Sequence, residues 1–470
     1  MTPSSMTTAA GSPRSPPFEM RVSSRSRKIA AVIVRQRYPR SDAKAFSLIG
    51  SHVQNVQSGF RSRPMTTTIT PSSRGFNAPT SPIRALEAAS RAAVDAGKTV
   101  HFMNIGQPDI ATPRGMIDAY RSYDEKVLSY SPSDGYPAYR EALASNYYDK
   151  VVGSLPPITA EDIVVTVGGS EALLFAIAAV TDPGDDILVC EPYYTNYAGY
   201  THLLGVTASP VTTHVRDGYQ IDPAMIESAI TEKTRALVLP TPGNPTGVVL
   251  SLGDLEKITE ICLRHGIFFI CDEVYREFVY DQPAGTLAPS MLAVAGAEDI
   301  AIVIDSVSKR YSACGARVGC LVTRNKDVRR AALHFAQARL SPATVDQLAG
   351  LAALSTPPEY FTDVIETYRE RRDVLVAGLE SIGISVPAPQ GAFYIAVPLP
   401  VDDAADFCSW LVSEFDLDGE TLCMAPLGGF YSTEGLGRNE VRMAYVLDKQ
   451  VISRCVEILE AGLAAYAEKE

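Results

Sequence analysis

Short, continuous apolar runs recur through the middle of the chain, and turn-forming or charged residues bound them. Five of these runs are four or five residues long: Ile163–Val167, Ile187–Cys190, Ala236–Leu239, Ile267–Cys271 and Ala301–Ile304. Runs of this length without polar alternation are typical of strands that are buried on both faces. The pattern therefore predicts a sheet that is covered on both sides.

Segments of helical composition separate these runs. Ser170–Val180 follows the first run after a Gly-Gly pair, and the amphipathic segment Asp254–His265 ends before Gly266. Alternation of buried strands and helices predicts an α/β fold whose sheet is mostly parallel. Helical and hairpin-like segments then follow one another toward the C-terminus, which indicates a smaller α+β unit.

Order is predicted to begin at Ser81-Pro82, an N-cap followed by a first-turn proline. The helix that starts there would carry its apolar residues on one side: Ile83, Leu86 and Ala93. We therefore predict four regions. They are a disordered extension (1–80), an N-terminal arm that joins the small domain (81–112), a large cofactor-binding domain (113–340) and the small domain (341–470).

The N-terminal extension differs from the rest of the chain in composition. Residues 1–64 hold eleven Lys and Arg against Glu19 and Asp42, and the segment is rich in serine. Such a composition fits an organelle transit peptide, an unstructured tail, or a start assigned too early with Met65 as the true first residue. The remaining chain is more acidic than the net charge of −12 suggests, which disfavours nucleic-acid binding.

The cysteines are spread through apolar stretches without a CxxC pair or histidines at metal-ligand spacing. We expect buried free thiols, no metal site and a reducing compartment. The longest apolar runs fall short of the roughly 20 residues of a membrane span. A soluble cytoplasmic protein is the expectation, with organelle import if residues 1–64 are a transit peptide.

Polar residues follow four of the apolar runs, where ligands bind in open α/β sheets. These stretches are Gly168-Gly169-Ser170-Glu171, Asn244-Pro245-Thr246-Gly247, Asp272-Glu273-Val274-Tyr275 and Ser306-Val307-Ser308-Lys309. Each has a structural alternative, since glycines and Asn-Pro form turns, an acid after a strand often caps a helix, and lysine is usually at the surface. Their combination carries the argument.

The ordered set of motifs resembles the class I aminotransferases, the aspartate aminotransferase type of fold-type I pyridoxal-phosphate enzymes. The resemblance extends from about Ser81 to the C-terminus. Besides the four strand ends, the stretches that support it are Asn104–Asp109, Tyr130–Gly135, Glu191–Tyr194, Ser306–Gly319, Gly391–Tyr394 and Val441–Tyr445.

The resemblance implies that Lys309 binds pyridoxal 5'-phosphate as a Schiff base and is the general acid/base. Asp272 would keep the pyridine nitrogen protonated, so that the ring accepts electrons from the substrate. Tyr275 and Asn244 would hydrogen-bond the phenolic oxygen of the cofactor. Tyr194 would stack on the ring, where the family often has tryptophan.

The same resemblance assigns the cofactor phosphate to a helix N-terminus and a basic fork. The residues concerned are Gly169, Ser170, Ser306, Ser308 and Arg317, with Tyr130 reaching the phosphate of a neighbouring subunit. Arg442 would clamp the substrate α-carboxylate, with Asn244 and the backbone near Gly106 nearby. The active unit would then be a homodimer with shared active sites.

The implied reaction is a ping-pong transfer of an amino group from an L-amino acid to a 2-oxo acid. Other outcomes on the same fold remain open at this point: β-elimination, ring closure of the aminocyclopropane-carboxylate synthase type, or a ligand-sensing module without catalysis. Sequence does not reveal the side chain of the donor.

Overall fold

The computed structural model describes residues 69–283 and 285–469. The helices are α1 Ser73–Phe76, α2 Glu87–Asp95, α3 Arg114–Arg121, α4 Pro137–Ala142, α5 Gly168–Val180, α6 Asn196–Leu204, α7 Pro223–Ala229, α8 Leu252–His265, α9 Val307–Arg310, α10 Lys326–Arg339, α11 Thr344–Ala353, α12 Pro358–Ser381, α13 Ala404–Ser413 and α14 Lys449–Lys469. The strands are β1 Thr99–Phe102, β2 Ile163–Thr166, β3 Asp186–Glu191, β4 Thr207–Thr212, β5 Thr234–Pro240, β6 Phe268–Asp272, β7 Ala301–Ser306, β8 Gly319–Val322, β9 Tyr394–Pro398, β10 Glu420–Cys423, β11 Ala425–Pro426 and β12 Glu440–Ala444.

The central feature is a seven-stranded sheet with the order β2-β8-β7-β6-β5-β3-β4. All neighbouring pairs from β7 to β4 are parallel, whereas β8 runs antiparallel to both β7 and β2. Helices α5, α6 and α10 cover one face, and α3, α8 and α11 cover the other. Alternate residues of one strand enter the two cores, as Ile302 and Val303 show. The predicted mostly parallel, doubly covered sheet is confirmed.

Two smaller sheets and a separate core form the second part of the fold. Strands β11, β12 and β9 make an antiparallel sheet, and β1 pairs in parallel with β10. Helices α12, α13 and α14 pack on this second core, together with Leu86 and Ala93 from the N-terminal side. The N-terminal segment and the C-terminal region therefore share a core, while the exact domain boundaries stay a prediction.

Two expectations near the N-terminus are corrected. Residues 73–76 form one helical turn inside the extension predicted to be disordered, and residues 1–68 lie outside the described part. The helix predicted from Ser81-Pro82 is divided into a 3-10 turn at Pro82–Arg84 and α2, and Ser81 makes no side-chain cap. Within the described residues, no helix is both long and apolar enough to cross a membrane.

Candidate active site

A cavity of about 450 Å³ opens at the carboxyl ends of the central strands. Every site residue predicted from the sequence lines it except Tyr130: Gly106, Gly169, Ser170, Tyr194, Asn244, Asp272, Tyr275, Ser306, Ser308, Lys309, Arg317 and Arg442. Tyr130 is 81% exposed in the single chain. The assignment of Tyr130 to a neighbouring subunit therefore stays a prediction.

Lys309 is placed by the short helix α9, which directly follows β7. The Ser306 hydroxyl caps this helix by accepting a hydrogen bond from the amide of Ser308. Lys309 Nζ donates to the carbonyl oxygen of Gly106 at 2.7 Å and lies 3.7 Å from Cys314 Sγ. The amine is thus half-buried at the cavity wall and held by backbone from the N-terminal arm.

Cys314 departs from the prediction that the cysteines are buried. It is half-buried at the cavity, whereas the other seven are buried free thiols. Its thiol donates to the carbonyl oxygen of Ser308 at 3.3 Å. Among the described residues, no group of three or more His, Cys, Asp or Glu side chains could hold a metal ion.

Asp272 is the last residue of β6, and its side chain is buried. Oδ2 accepts a hydrogen bond from the Tyr197 hydroxyl at 3.1 Å, and Oδ1 has no partner among the described residues. Burial raises the pKa of Asp272 to about 6, and the bond from Tyr197 opposes that rise. A turn rather than a helix follows β6, so the alternative that Asp272 is a helix cap is wrong.

An anion cradle lies where β2 leads into the 13-residue helix α5. Gly168 begins this helix with φ +75°, and a Cβ there would lie 2.5 Å from a guanidinium nitrogen of Arg317. Arg317 itself has φ +51°, a conformation that non-glycine residues rarely adopt outside constrained sites. Its Nη1 donates to the carbonyl oxygen of Cys314 at 3.0 Å. The Arg317 guanidinium thus lies beside a helix N-terminus that has no side-chain cap, and both features favour an anion.

Arg442 is a buried cation without an acidic partner in the described part of the chain. Its Nη1 donates to Asn244 Oδ1 at 3.0 Å and its Nη2 to the carbonyl oxygen of Asn104 at 2.6 Å. The guanidinium lies over the rings of Tyr394 and Phe430, at 4.5 and 5.2 Å from their centroids. Burial lowers the pKa of Arg442, which reflects the cost of an uncompensated charge. An anion that enters the cavity would relieve this cost.

Three tyrosines form the aromatic wall of the cavity. The hydroxyls of Tyr275 and Tyr394 are hydrogen-bonded at 2.9 Å, and burial raises the pKa of Tyr275 well above its usual value. Tyr194 packs edge-on against Tyr197 and accepts a hydrogen bond from Asn196 Nδ2 at 2.8 Å. These contacts hold the phenol groups toward the cavity that Lys309 and Asp272 share.

Sequence reasoning missed four residues that the structure brings to the site. Tyr197 follows Tyr193 and Tyr194 closely in the sequence, a grouping that is equally typical of core packing, and Asn104 and Tyr394 lie in motif stretches without a readable role. Arg84 lines the mouth of the cavity, although nothing in its local sequence points there. These contacts join segments far apart in the chain, so spacing gives no signal.

Comparison with known proteins gives concordant results. The family model described as "Aminotransferase class I and II" matches residues 99–419. An LL-diaminopimelate aminotransferase of Desulforudis audaxviator is 33% identical over 350 residues, which cover 73% of this chain and 85% of that protein. The aspartate aminotransferase of Bacillus subtilis is 29% identical over 382 residues, covering 79% and 93%.

Solved structures agree with these relatives. An aspartate aminotransferase from Thermus thermophilus with maleate has a TM-score of 0.76 at 27% identity, and the match covers 84% of this chain and 100% of that one. An alanine aminotransferase from Pyrococcus furiosus has a TM-score of 0.75 at 28% identity, with the same coverage.

Proposed function

The chain belongs to the class I and II aminotransferase family, and we propose that its cavity binds pyridoxal phosphate and uses Lys309 for proton transfer. The chain is an aminotransferase that acts on amino acids and 2-oxo acids. The proposal for the site rests on three chemical groups that lie together. A lysine amine, a buried carboxylate with an unpartnered oxygen and an anion cradle line the same cavity.

The residues present fit the cofactor that the family implies. Asp272 Oδ1 is buried without a partner among the described residues, and a protonated ring nitrogen would satisfy it. The cradle at Gly168 and Arg317 suits a phosphate. Any residue other than glycine at position 168 would place its Cβ against the Arg317 guanidinium and displace it. The cavity volume of about 450 Å³ falls within the range of cofactor sites.

Pyridoxal phosphate supplies, when bound, a ring that accepts the electron pair left by the substrate α-proton. Lys309 would hold the cofactor covalently at rest, and its freed Nζ would carry the α-proton during transfer. Asp272 would hold a negative charge at the ring nitrogen, with Tyr197 fixing its orientation. Tyr275 and Asn244 would bind the phenolic oxygen, and Tyr194 would pack against the ring.

The phosphate would be bound by Gly169, Ser170, Ser306, Ser308 and Arg317. Ser306 and Ser308 already hydrogen-bond each other at 2.8 Å, which keeps both hydroxyls at the cradle. Arg442 would bind the substrate α-carboxylate, because it is buried, aimed into the cavity and lacks a counter-ion within the described residues. Asn244 and Asn104 fix the plane of its guanidinium through two hydrogen bonds.

We infer that the active unit is a homodimer in which Tyr130 reaches the partner's cofactor phosphate. The exposed apolar residues beside it support this inference, because Val127 and Leu128 are each about two-thirds exposed. Side chains of this size on one short segment are typical of a surface that another chain covers.

A donor screen tests the proposed function. Protein loaded with pyridoxal phosphate is mixed with each L-amino acid in turn, with 2-oxoglutarate as acceptor. We expect the 2-oxo acid of a productive donor and an equal amount of glutamate. Release of ammonia with pyruvate, or no product from any donor, would contradict the proposal. Because the names of the relatives include aspartate, diaminopimelate and alanine, the screen includes all three of these donors.

A further inference from the structure

A third arginine, besides Arg317 and Arg442, lines the cavity at its mouth. Arg84 ends the 3-10 turn Pro82–Arg84 and is exposed, and it lines the same cavity as Arg442 and Lys309. Nothing in the described part of the chain pairs with it: no acidic side chain lies within ion-pair distance of its guanidinium. It is thus a free cation at the entrance of an anion-binding site.

The turn that carries Arg84 is bonded directly to the support of Arg442. Asn104 Nδ2 donates to the carbonyl oxygen of Ile83 at 2.9 Å, while the carbonyl oxygen of the same Asn104 accepts from Arg442 Nη2 at 2.6 Å. Asn104 therefore links the backbone of the turn that carries Arg84 to the Arg442 guanidinium through two hydrogen bonds. The bridge fixes the backbone from which the Arg84 side chain extends, relative to Arg442.

A second contact holds the turn from the opposite side. Pro82 packs so closely on Gly429 that a Cβ there would lie 2.3 Å from the proline Cγ. Gly429 belongs to the turn Gly428–Phe430, and Phe430 lies under the Arg442 guanidinium at 5.2 Å. The backbone of Arg84 is therefore anchored on both sides to residues that support Arg442.

The charges of the cavity leave Arg84 available for substrate. Its basic residues are Arg84, Lys309, Arg317 and Arg442, and its one acidic residue is Asp272. The cofactor would occupy Lys309, Arg317 and Asp272, and the α-carboxylate would occupy Arg442. One positive charge then remains at the mouth, where the side chain of a bound amino acid would point.

We propose that Arg84 binds the side-chain carboxylate of the substrate, so that the enzyme prefers dicarboxylic amino acids and dicarboxylic 2-oxo acids. The inference rests on the proposed function of the cavity. A guanidinium binds a carboxylate through two parallel hydrogen bonds, which neither an amide nor an alkyl side chain reproduces. Because Arg84 is partly solvated, a preference of roughly 10- to 100-fold is expected rather than a larger one.

Binding of unreactive acids tests Arg84 without turnover. Protein loaded with pyridoxal phosphate is titrated calorimetrically with glutarate and with pentanoate, which match in length and differ by one carboxylate. Wild type should bind glutarate at least about tenfold more tightly, and Arg84→Gln should remove this difference. Arg84→Lys should keep part of it. Arg91→Gln, an equal charge change at an exposed residue outside the cavity, should leave it unchanged.

Turnover gives an independent readout. The ratio of kcat/KM for glutamate to that for norvaline should fall at least about tenfold in Arg84→Gln and stay constant in Arg91→Gln. An unchanged ratio, or equal glutarate affinity in wild type and Arg84→Gln, would overturn the inference while the aminotransferase function stands. A wild type that binds glutarate through Arg84 but turns over no donor would instead contradict the proposed function.

Discussion

Replacing Asp272 with asparagine should change stability and catalysis in opposite directions. Burial disfavours the charged form of this carboxylate in the cofactor-free protein, so its removal should stabilise the fold. Its pKa is raised from an ordinary value of 3.8 to about 6. The folded state therefore binds the proton more tightly than the unfolded state. Between about pH 4 and pH 6 the free energy of unfolding falls with rising pH, by about 3 kcal/mol in total, and it stays lower above pH 6.

Asparagine has nearly the same shape and carries no charge. The cofactor-free Asp272→Asn protein should therefore be more stable than wild type at pH 7.5, by up to about 3 kcal/mol, and the difference should vanish near pH 4. Denaturant unfolding of both proteins at several pH values measures this. Asp149→Asn, at an exposed residue outside the cavity, controls for the loss of one negative charge.

Activity should change in the opposite direction. Loss of one partner from a buried charge pair costs about 3–5 kcal/mol, which corresponds to a fall of about 10²–10⁴-fold in kcat. Asp149→Asn should keep wild-type turnover. If Asp272→Asn were less stable than wild type at pH 7.5 and still turned over within about tenfold of it, both the electrostatic argument and the assignment would be wrong.

Three further predictions follow from the site and the composition. Lys309→Ala should lower kcat at least about 10²–10⁴-fold while cofactor absorbance shows retained non-covalent binding; Lys326→Ala, at an exposed lysine, should change neither. Sedimentation of the loaded protein should show a homodimer because Tyr130 is expected to reach the partner's cavity, and a fully active monomer would refute this. A chain that begins at Met65 should match the full chain in thermal melting and activity, since composition predicts that residues 1–64 are dispensable; an insoluble product would contradict this.

Strands β2, β3, β5, β6 and β7 were predictable because their sequences are short, continuous and apolar, whereas β8 was not predicted although it is buried. The first run was predicted at Ile163–Val167 and lies at Ile163–Thr166. Strand β4 was missed because Thr207–Thr212 contains Pro210 and several hydroxyl residues, which an edge strand tolerates and an apolar pattern does not reveal. The signal follows burial rather than position in the sheet, since β2 at the other edge is fully buried and was predicted, whereas β4 is mostly half-exposed and was not.

The N-terminal helix shows how a tertiary contact overrides a local signal. In a continuous helix the carbonyl oxygen of Ile83 would accept a hydrogen bond from the amide four residues later. Asn104 Nδ2 takes that oxygen instead, and Pro82 packs on Gly429. The helix-start signal at Ser81 is local and therefore contains no information about Asn104, which lies 21 positions after Ile83 in the chain.

The residues of the candidate site also fall into two groups, those that could be predicted from the sequence and those that could not. Residues at strand ends, such as Asp272 and Lys309, were predictable because the topology brings strand ends together. Their supporting partners were not, since the bond from Lys309 Nζ to the Gly106 carbonyl oxygen spans 203 positions and that between Tyr275 and Tyr394 spans 119. Every residue has a backbone carbonyl, so no sequence motif could predict that the Gly106 carbonyl oxygen accepts this bond.

The most direct test of the account asks which residue binds the cofactor. The protein is incubated with pyridoxal phosphate, reduced with borohydride so that any imine to a lysine becomes permanent, digested, and mapped by mass spectrometry. Modification should lie on Lys309 alone, at one group per chain, and Lys309→Ala should carry none. A stoichiometric modification at another lysine, or an unmodified Lys309 in active protein, would contradict the central claim.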